Sequence, residues 1–295
     1  MFKGSIVALI TPMQNDGAVD YPALKQLVEF HLQQGSDGLV IMGTTGEAVT
    51  LSFEEQMQVI ERVCQQVAGR IPVLAGNGSN NTAEAVSRTQ RLSTLPIAGF
   101  LTVTPFYNKP TQHGMLAHFT AVAAATAKPI LLYNVPGRTG VDLLPATVAE
   151  LALISNIVGI KEATGSLSRL AELQQRCPTD FILLSGDDAT ACDFMLQGGH
   201  GVISVTANVA PKSIAQLCQL ATTGQQLLAQ QVDATLQPLH RDLFIESNPI
   251  PTKWALRKMG IIPSDSMRLP LTVLEPIHYQ TIEQALQHAG ISYQE

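Results

Sequence analysis

Lys161 lies in the run NIVGIKEATG (156–165), whose Val158, Ile160 and Ala163 suit a strand covered on both faces. An ammonium is costly there unless it reaches water or its burial serves a chemical purpose. Burial disfavours the charged form of a lysine and lowers its pKa, which yields a free amine near neutral pH. That amine is the requirement for a Schiff-base nucleophile. Taken alone, the residue also fits a structural oddity or an edge position.

Its neighbours in sequence shift the balance. With a period of two, Gly159 and Lys161 share one face of the strand, and Val158 and Ile160 share the other. If the branched residues face helices, Lys161 faces an interior, and Gly159 leaves space below its stem. Two of the chain's five tyrosines close other apolar runs, Tyr107 in TPFYNKP and Tyr133 in YNVPGRTG, where Asn134 and Arg138 are also presented. Each tyrosine alone reads equally well as a half-buried packing residue. Beside an amine they suggest proton shuttling, because carbinolamine formation and dehydration both move protons. A chain of hydroxyls through Tyr133, Thr44 and Tyr107 can carry them. The glycine-bounded turn GTTGE (43–47), with Thr44 and Thr45, offers backbone amides to a small carboxylate. Arg138 offers a planar fork to a second carboxylate. The set suggests a keto acid joined to another acid.

Residues so dispersed need a scaffold that brings them to one place. Short Val/Ile/Leu-rich runs recur (SIVALITP, GLVIMG, IPVLAGNG, GFLTVTP, PILLYNVP, IVGIKEA, FILLSGDD, GVISVTAN), separated by segments of helical periodicity at 21–34, 52–67 and 82–95. Ser52 followed by Glu55 predicts a capping box, and Pro211 a first helical turn. About eight strand–helix units predict an α/β fold, a (β/α)8 TIM barrel, with chemistry at the C-terminal ends of its strands. An open doubly wound sheet is the alternative, but GNGSNN is a weak match to its nucleotide fingerprint. The barrel is expected over residues 1–223. Residues 224–295 read as a C-terminal helical region packed on it.

Composition removes other classes. Hydrophobic residues make up 45% of the 295 and charged ones 14%, which excludes a disordered chain. A net charge of -6 without any Lys/Arg cluster argues against a nucleic-acid surface. The cysteines (64, 177, 192, 218) are far apart and predict buried, reduced thiols. His113 and His118 share a possible helix without the H-E-x-x-H pattern, so no metal is expected. No apolar run is long enough to span a membrane and no signal peptide is evident, which points to a cytoplasmic protein.

GTTGE, TPFYNKP, YNVPGRTG, GIKEATG and SNPIPTKWA together resemble the 4-hydroxy-tetrahydrodipicolinate synthase family of the pyruvate-dependent class I aldolases. The likeness runs from GSIVALITPM to about LPLT. GTTGE and the lysine strand are shared with N-acetylneuraminate lyases, whereas NVPGRTG is more specific to the dipicolinate enzymes. The resemblance implies an imine between Lys161 and pyruvate, whose carboxylate rests on Thr44 and Thr45, and no other cofactor. It implies condensation with L-aspartate-4-semialdehyde on the route to diaminopimelate and lysine. Tyr133 would be the acid/base, relayed through Thr44 to a Tyr107 from a neighbouring subunit of a homotetramer. Arg138 would hold the semialdehyde, and Gly186 and Ile203 would line the pocket. A regulatory cleft for L-lysine would run along Ala48, Val49, Phe53, Gln56, Asn80, Glu84 and Phe106. Lysine-sensitive members carry a hydroxyl at 48, imidazoles at 53 and 56 and a tyrosine at 106, so this cleft reads as degraded.

Rival readings use the same lysine. A lyase for N-acetylneuraminate or a 2-keto-3-deoxy acid would need many hydroxyl partners rather than one Arg138 fork. A pyridoxal-phosphate barrel would need a phosphate loop. A keto-acid sensor would need no tyrosine relay.

Overall fold

The computed structural model describes residues 2–294. Eight parallel strands close on themselves in sequence order: β1 (Gly4–Ala8), β2 (Gly38–Ile41), β3 (Val73–Gly76), β4 (Gly99–Val103), β5 (Ile130–Asn134), β6 (Ile157–Glu162), β7 (Ile182–Ser185) and β8 (Gly201–Ser204). The closing ladder pairs Gly4 to Gly201 and Ile6 to Ile203. The chain is thus a TIM barrel, and closure leaves none of its strands with an unpaired edge.

Helices α1 (Tyr21–Gln33), α2 (Phe53–Val67), α3 (Thr82–Leu92), α4 (Gln112–Ala124), α5 (Pro136–Thr139), α6 (Pro145–Leu151), α7 (Leu167–Arg176), α8 (Ala191–Leu196) and α9 (Pro211–Thr222) fill the connections. The local chemistry sets their ends. Ser52 Oγ accepts from the Glu55 amide while the Glu55 carboxylate accepts from the Ser52 amide, the reciprocal cap that starts α2 and is worth about 1 kcal/mol. Pro211 opens α9, where its missing N–H costs nothing. Helices α10 (Gln226–Asp242), α11 (Ile250–Lys258) and α12 (Tyr279–His288) follow, with α10 packed on α9 and α12. Of the cysteines, Cys64, Cys192 and Cys218 are buried, but Cys177 just past α7 is only half-buried.

Apolar side chains form two layers. Phe2, Ile6, Val40, Leu74, Leu101, Leu131, Leu184 and Ile203 plug the barrel, and the opposite strand faces meet the helices. Strand β6 breaks the expected alternation. Ile157 and Ile160 face outward, but Val158 packs with the inner layer, because the register against β5 shifts between Ile130 and Leu131. A bulge places two successive residues on one side and re-aims the side chains beyond it. Lys161 still faces inward. The space at Gly159 does not serve the lysine stem, however: a Cβ there would meet the Ile182 backbone carbonyl and the Leu131 side chain.

Candidate active site

Lys161 on β6 and Tyr133 on β5 are register partners at the C-terminal end of the barrel. Lys161 is 5% exposed, and its Nζ stands 4.3 Å from the centre of the Tyr133 ring. The residue that makes room for the lysine is Gly186, just after β7. A Cβ there would lie 2.8 Å from Lys161 Cε and 2.7 Å from the Ala163 Cβ, so any larger residue would push the amine aside. Gly186 is held by its amide, which donates to the Glu162 carbonyl at 2.7 Å. Ile203 sits beneath, in the inner apolar layer.

The turn after β2 carries Thr44 at its exposed rim and Thr45 buried within. It ends at Glu47, in the left-handed region at φ 55°, a conformation that costs a non-glycine residue energy and persists only when surroundings enforce it. The enforcement comes from the end of the chain. Glu47 forms an ion pair with Lys253 of α11, both side chains fully buried, and Lys253 Nζ also donates to the Ser266 carbonyl at 2.8 Å. Burial pulls the Lys253 ammonium below the usual lysine range, and the Glu47 carboxylate opposes that pull. Thr45 Oγ1 accepts from Asn248 Nδ2 at 2.9 Å.

Arg138 on the short helix α5 is exposed, and its Nη2 donates to the Asn248 backbone carbonyl at 3.4 Å. Asn134 turns away from this cluster, contrary to its expected presentation at the strand end. Its amide donates to Glu162 at 3.0 Å and Asp142 at 2.8 Å on the helix-facing side, because it follows Tyr133 and period two sends it outward. Burial there pushes the Glu162 carboxyl up, against the hydrogen bonds from Asn134 and Thr164 that lower it.

Tyr107 is the outlier. It is 88% exposed, and within one chain its hydroxyl is not hydrogen-bonded to Thr44 or Tyr133 among the described residues. Its backbone is nonetheless fixed at φ 74°, with the amide donating to the Thr139 carbonyl at 3.1 Å. An aromatic residue strained at a positive φ and left bare is a common mark of a functional contact.

A cavity of about 690 Å³ joins Thr44, Tyr133 and Arg138 to the cleft residues Ala48, Phe53, Gln56, Asn80, Glu84 and Phe106. Several of the cleft's polar groups engage one another. Gln56 Nε2 donates to the Ala48 and Leu51 carbonyls at 2.7 and 3.0 Å, and its Oε1 accepts from Arg88 Nη2 at 2.5 Å. Arg88 lies over the Phe53 ring at 4.9 Å and pairs with Glu84 at 3.6 Å, while Asn80 donates to the Phe106 carbonyl at 3.1 Å. A larger concavity of about 1000 Å³, lined by Lys3, Asp37 and His200, lies at the N-terminal end of the strands and faces none of these groups. Among the described residues, no cluster of His, Cys, Asp or Glu side chains is placed to hold a metal, and no helix is long and apolar enough to cross a membrane.

Asn248, Glu47 and Lys253 are the groups that sequence reasoning left without a role. The run SNPIPTKWA contains two of them, but their partners lie about 200 positions away.

A model described as the dihydrodipicolinate synthetase family matches residues 1–289. The 4-hydroxy-tetrahydrodipicolinate synthase of Methylococcus capsulatus is 55% identical over 291 residues, covering 99% of this chain and 100% of that protein. The chloride-inhibited dihydrodipicolinate synthase of Acinetobacter baumannii, solved in complex with pyruvate, superposes with a TM-score of 0.97 at 48% identity, over 99% of this chain and 100% of that one. The enzyme of Cyanidioschyzon merolae, solved with lysine bound, superposes with a TM-score of 0.95 at 38% identity, over 99% of both chains.

Proposed function

Because the chain belongs to the dihydrodipicolinate synthetase family, we propose that it condenses pyruvate with L-aspartate-4-semialdehyde to give 4-hydroxy-tetrahydrodipicolinate, in the cytoplasm. The Lys161 amine adds to the pyruvate keto carbon and expels water to form an imine. Loss of a methyl proton gives the enamine, which attacks the aldehyde carbon. The semialdehyde's own amine then adds to the imine carbon, closes the ring and releases Lys161. Tyr133 moves the protons, and Thr44 with a Tyr107 from a second copy of the chain links it to water. Thr45 receives the pyruvate carboxylate. The assembly is a homotetramer in which pyruvate is the only covalently bound group. The observation that supports this most is the buried Lys161 amine against Tyr133, at the end of the barrel where GTTGE also turns.

Arg138 is assigned to the semialdehyde carboxylate. Arg138→Ala is expected to raise the semialdehyde KM roughly tenfold to a hundredfold, the worth of one or two hydrogen bonds to a charged group at an exposed site. Pyruvate trapping by borohydride should survive. Unchanged semialdehyde kinetics would remove the role.

The cleft is assigned no effective L-lysine response. Position 48 lacks a hydroxyl and position 106 a phenol, and the Gln56 amide is already held by Arg88 and by the Ala48 and Leu51 carbonyls. An incoming amino acid would have to break those contacts and would recover fewer. Losing two or three hydrogen bonds to charged groups, about 1.5–3 kcal/mol each, takes a micromolar-to-millimolar site out of range. L-lysine titrated to about 1 mM, the weak end of that affinity range, should leave the rate unchanged. Saturable inhibition below that would overturn the assignment.

A further inference from the structure

Asn248 has no assigned part in the reaction, yet it touches the residues proposed to hold both substrates. Its Nδ2 donates to Thr45 Oγ1 at 2.9 Å, and its backbone carbonyl accepts from Arg138 at 3.4 Å. On the other side of the amide, Thr252 Oγ1 donates to Asn248 Oδ1 at 3.4 Å. Asn248, Thr252 and Thr45 are all buried, which shields these bonds from bulk solvent.

A hydroxyl has one hydrogen to give and lone pairs to receive with. Thr45 receives from Asn248, so its own hydrogen points elsewhere. We infer that Asn248 is a positioning residue for pyruvate: by donating to Thr45 Oγ1 it commits the Thr45 hydroxyl to donate to the pyruvate carboxylate. The inference rests on the reading that Thr45 binds that carboxylate. It assigns the α11 end of the chain a part in substrate affinity as well as packing.

The test uses the intact enzyme and reads apparent pyruvate affinity from the concentration dependence of borohydride trapping, alongside steady-state KM and kcat. Asn248→Ala should weaken pyruvate roughly tenfold, the scale of one such hydrogen bond. It should leave the semialdehyde KM nearly unchanged, since the carbonyl that meets Arg138 is backbone. Asn248→Asp separates aiming from packing. Its carboxylate keeps the shape but accepts where the amide donated, drawing the Thr45 hydrogen away and setting a negative charge near the substrate's own. It should therefore bind pyruvate more weakly than Asn248→Ala, whereas a packing role predicts the reverse order. A milder Asn248→Asp overturns the proposal. If that variant does not fold, the double variant decides: Asn248→Ala added to Thr45→Val should cost nothing further, and additive losses overturn the proposal. If Thr45→Val leaves pyruvate affinity intact, the Thr45 reading itself fails.

Discussion

Lys161→Arg is expected to abolish both turnover and covalent capture of pyruvate. Guanidinium keeps the positive charge and much of the length but is never a free amine at working pH, so no carbinolamine forms. In the unmodified enzyme, pyruvate with borohydride should inactivate and mark Lys161 alone, read by peptide mass mapping. The informative competitor is Lys253, which is buried more deeply still. Its ammonium is engaged by Glu47 and the Ser266 carbonyl, whereas Lys161 rests on the face of an aromatic ring. Label on Lys253 or Lys109, or residual trapping in Lys161→Arg, would refute the assignment.

Tyr133→Phe is expected to cut kcat by roughly 10²- to 10⁴-fold, the range for loss of a positioned acid/base, with a much smaller change in pyruvate affinity. The ring that supports the amine stays in place and only the hydroxyl goes, so a selective fall in kcat separates proton transfer from packing. Tyr107→Phe should fall similarly although Tyr107 is exposed in the single chain. If the relay crosses between copies, forced monomers should share that loss. Full activity in Tyr107→Phe, or in monomers, removes the relay.

These residues were legible from sequence for a physical reason. A lysine inside a β-branched run is costly, and cost without compensation signals use. The strands were legible because fully covered parallel strands read as continuous apolar runs. The bulge at Val158 was not, since one inserted residue leaves composition unchanged while reversing a face. Gly159 and Lys161 do share a face beyond the bulge, but the room at the lysine comes from Gly186 after β7, a neighbour that periodicity within one strand does not reveal. The Glu47–Lys253 pair and the Asn248–Thr45 bond were invisible because periodicity is local and these contacts span about 200 residues. The bare ring of Tyr107 has no account within one chain.

That long span has a consequence for how the protein comes into being. At roughly 5–20 residues per second, a ribosome releases Lys253 on the order of 10–40 s after Glu47. During that interval Glu47 has no cation to hold it in its left-handed turn, and Thr45 has no donor from Asn248. A nascent chain that has just delivered β8 possesses all eight strands, Lys161 and Tyr133, but neither of the groups that hold the turn after β2. Lys161 is therefore synthesised before the residues that hold the turn after β2, and that turn takes its final shape only once α11 has left the ribosome.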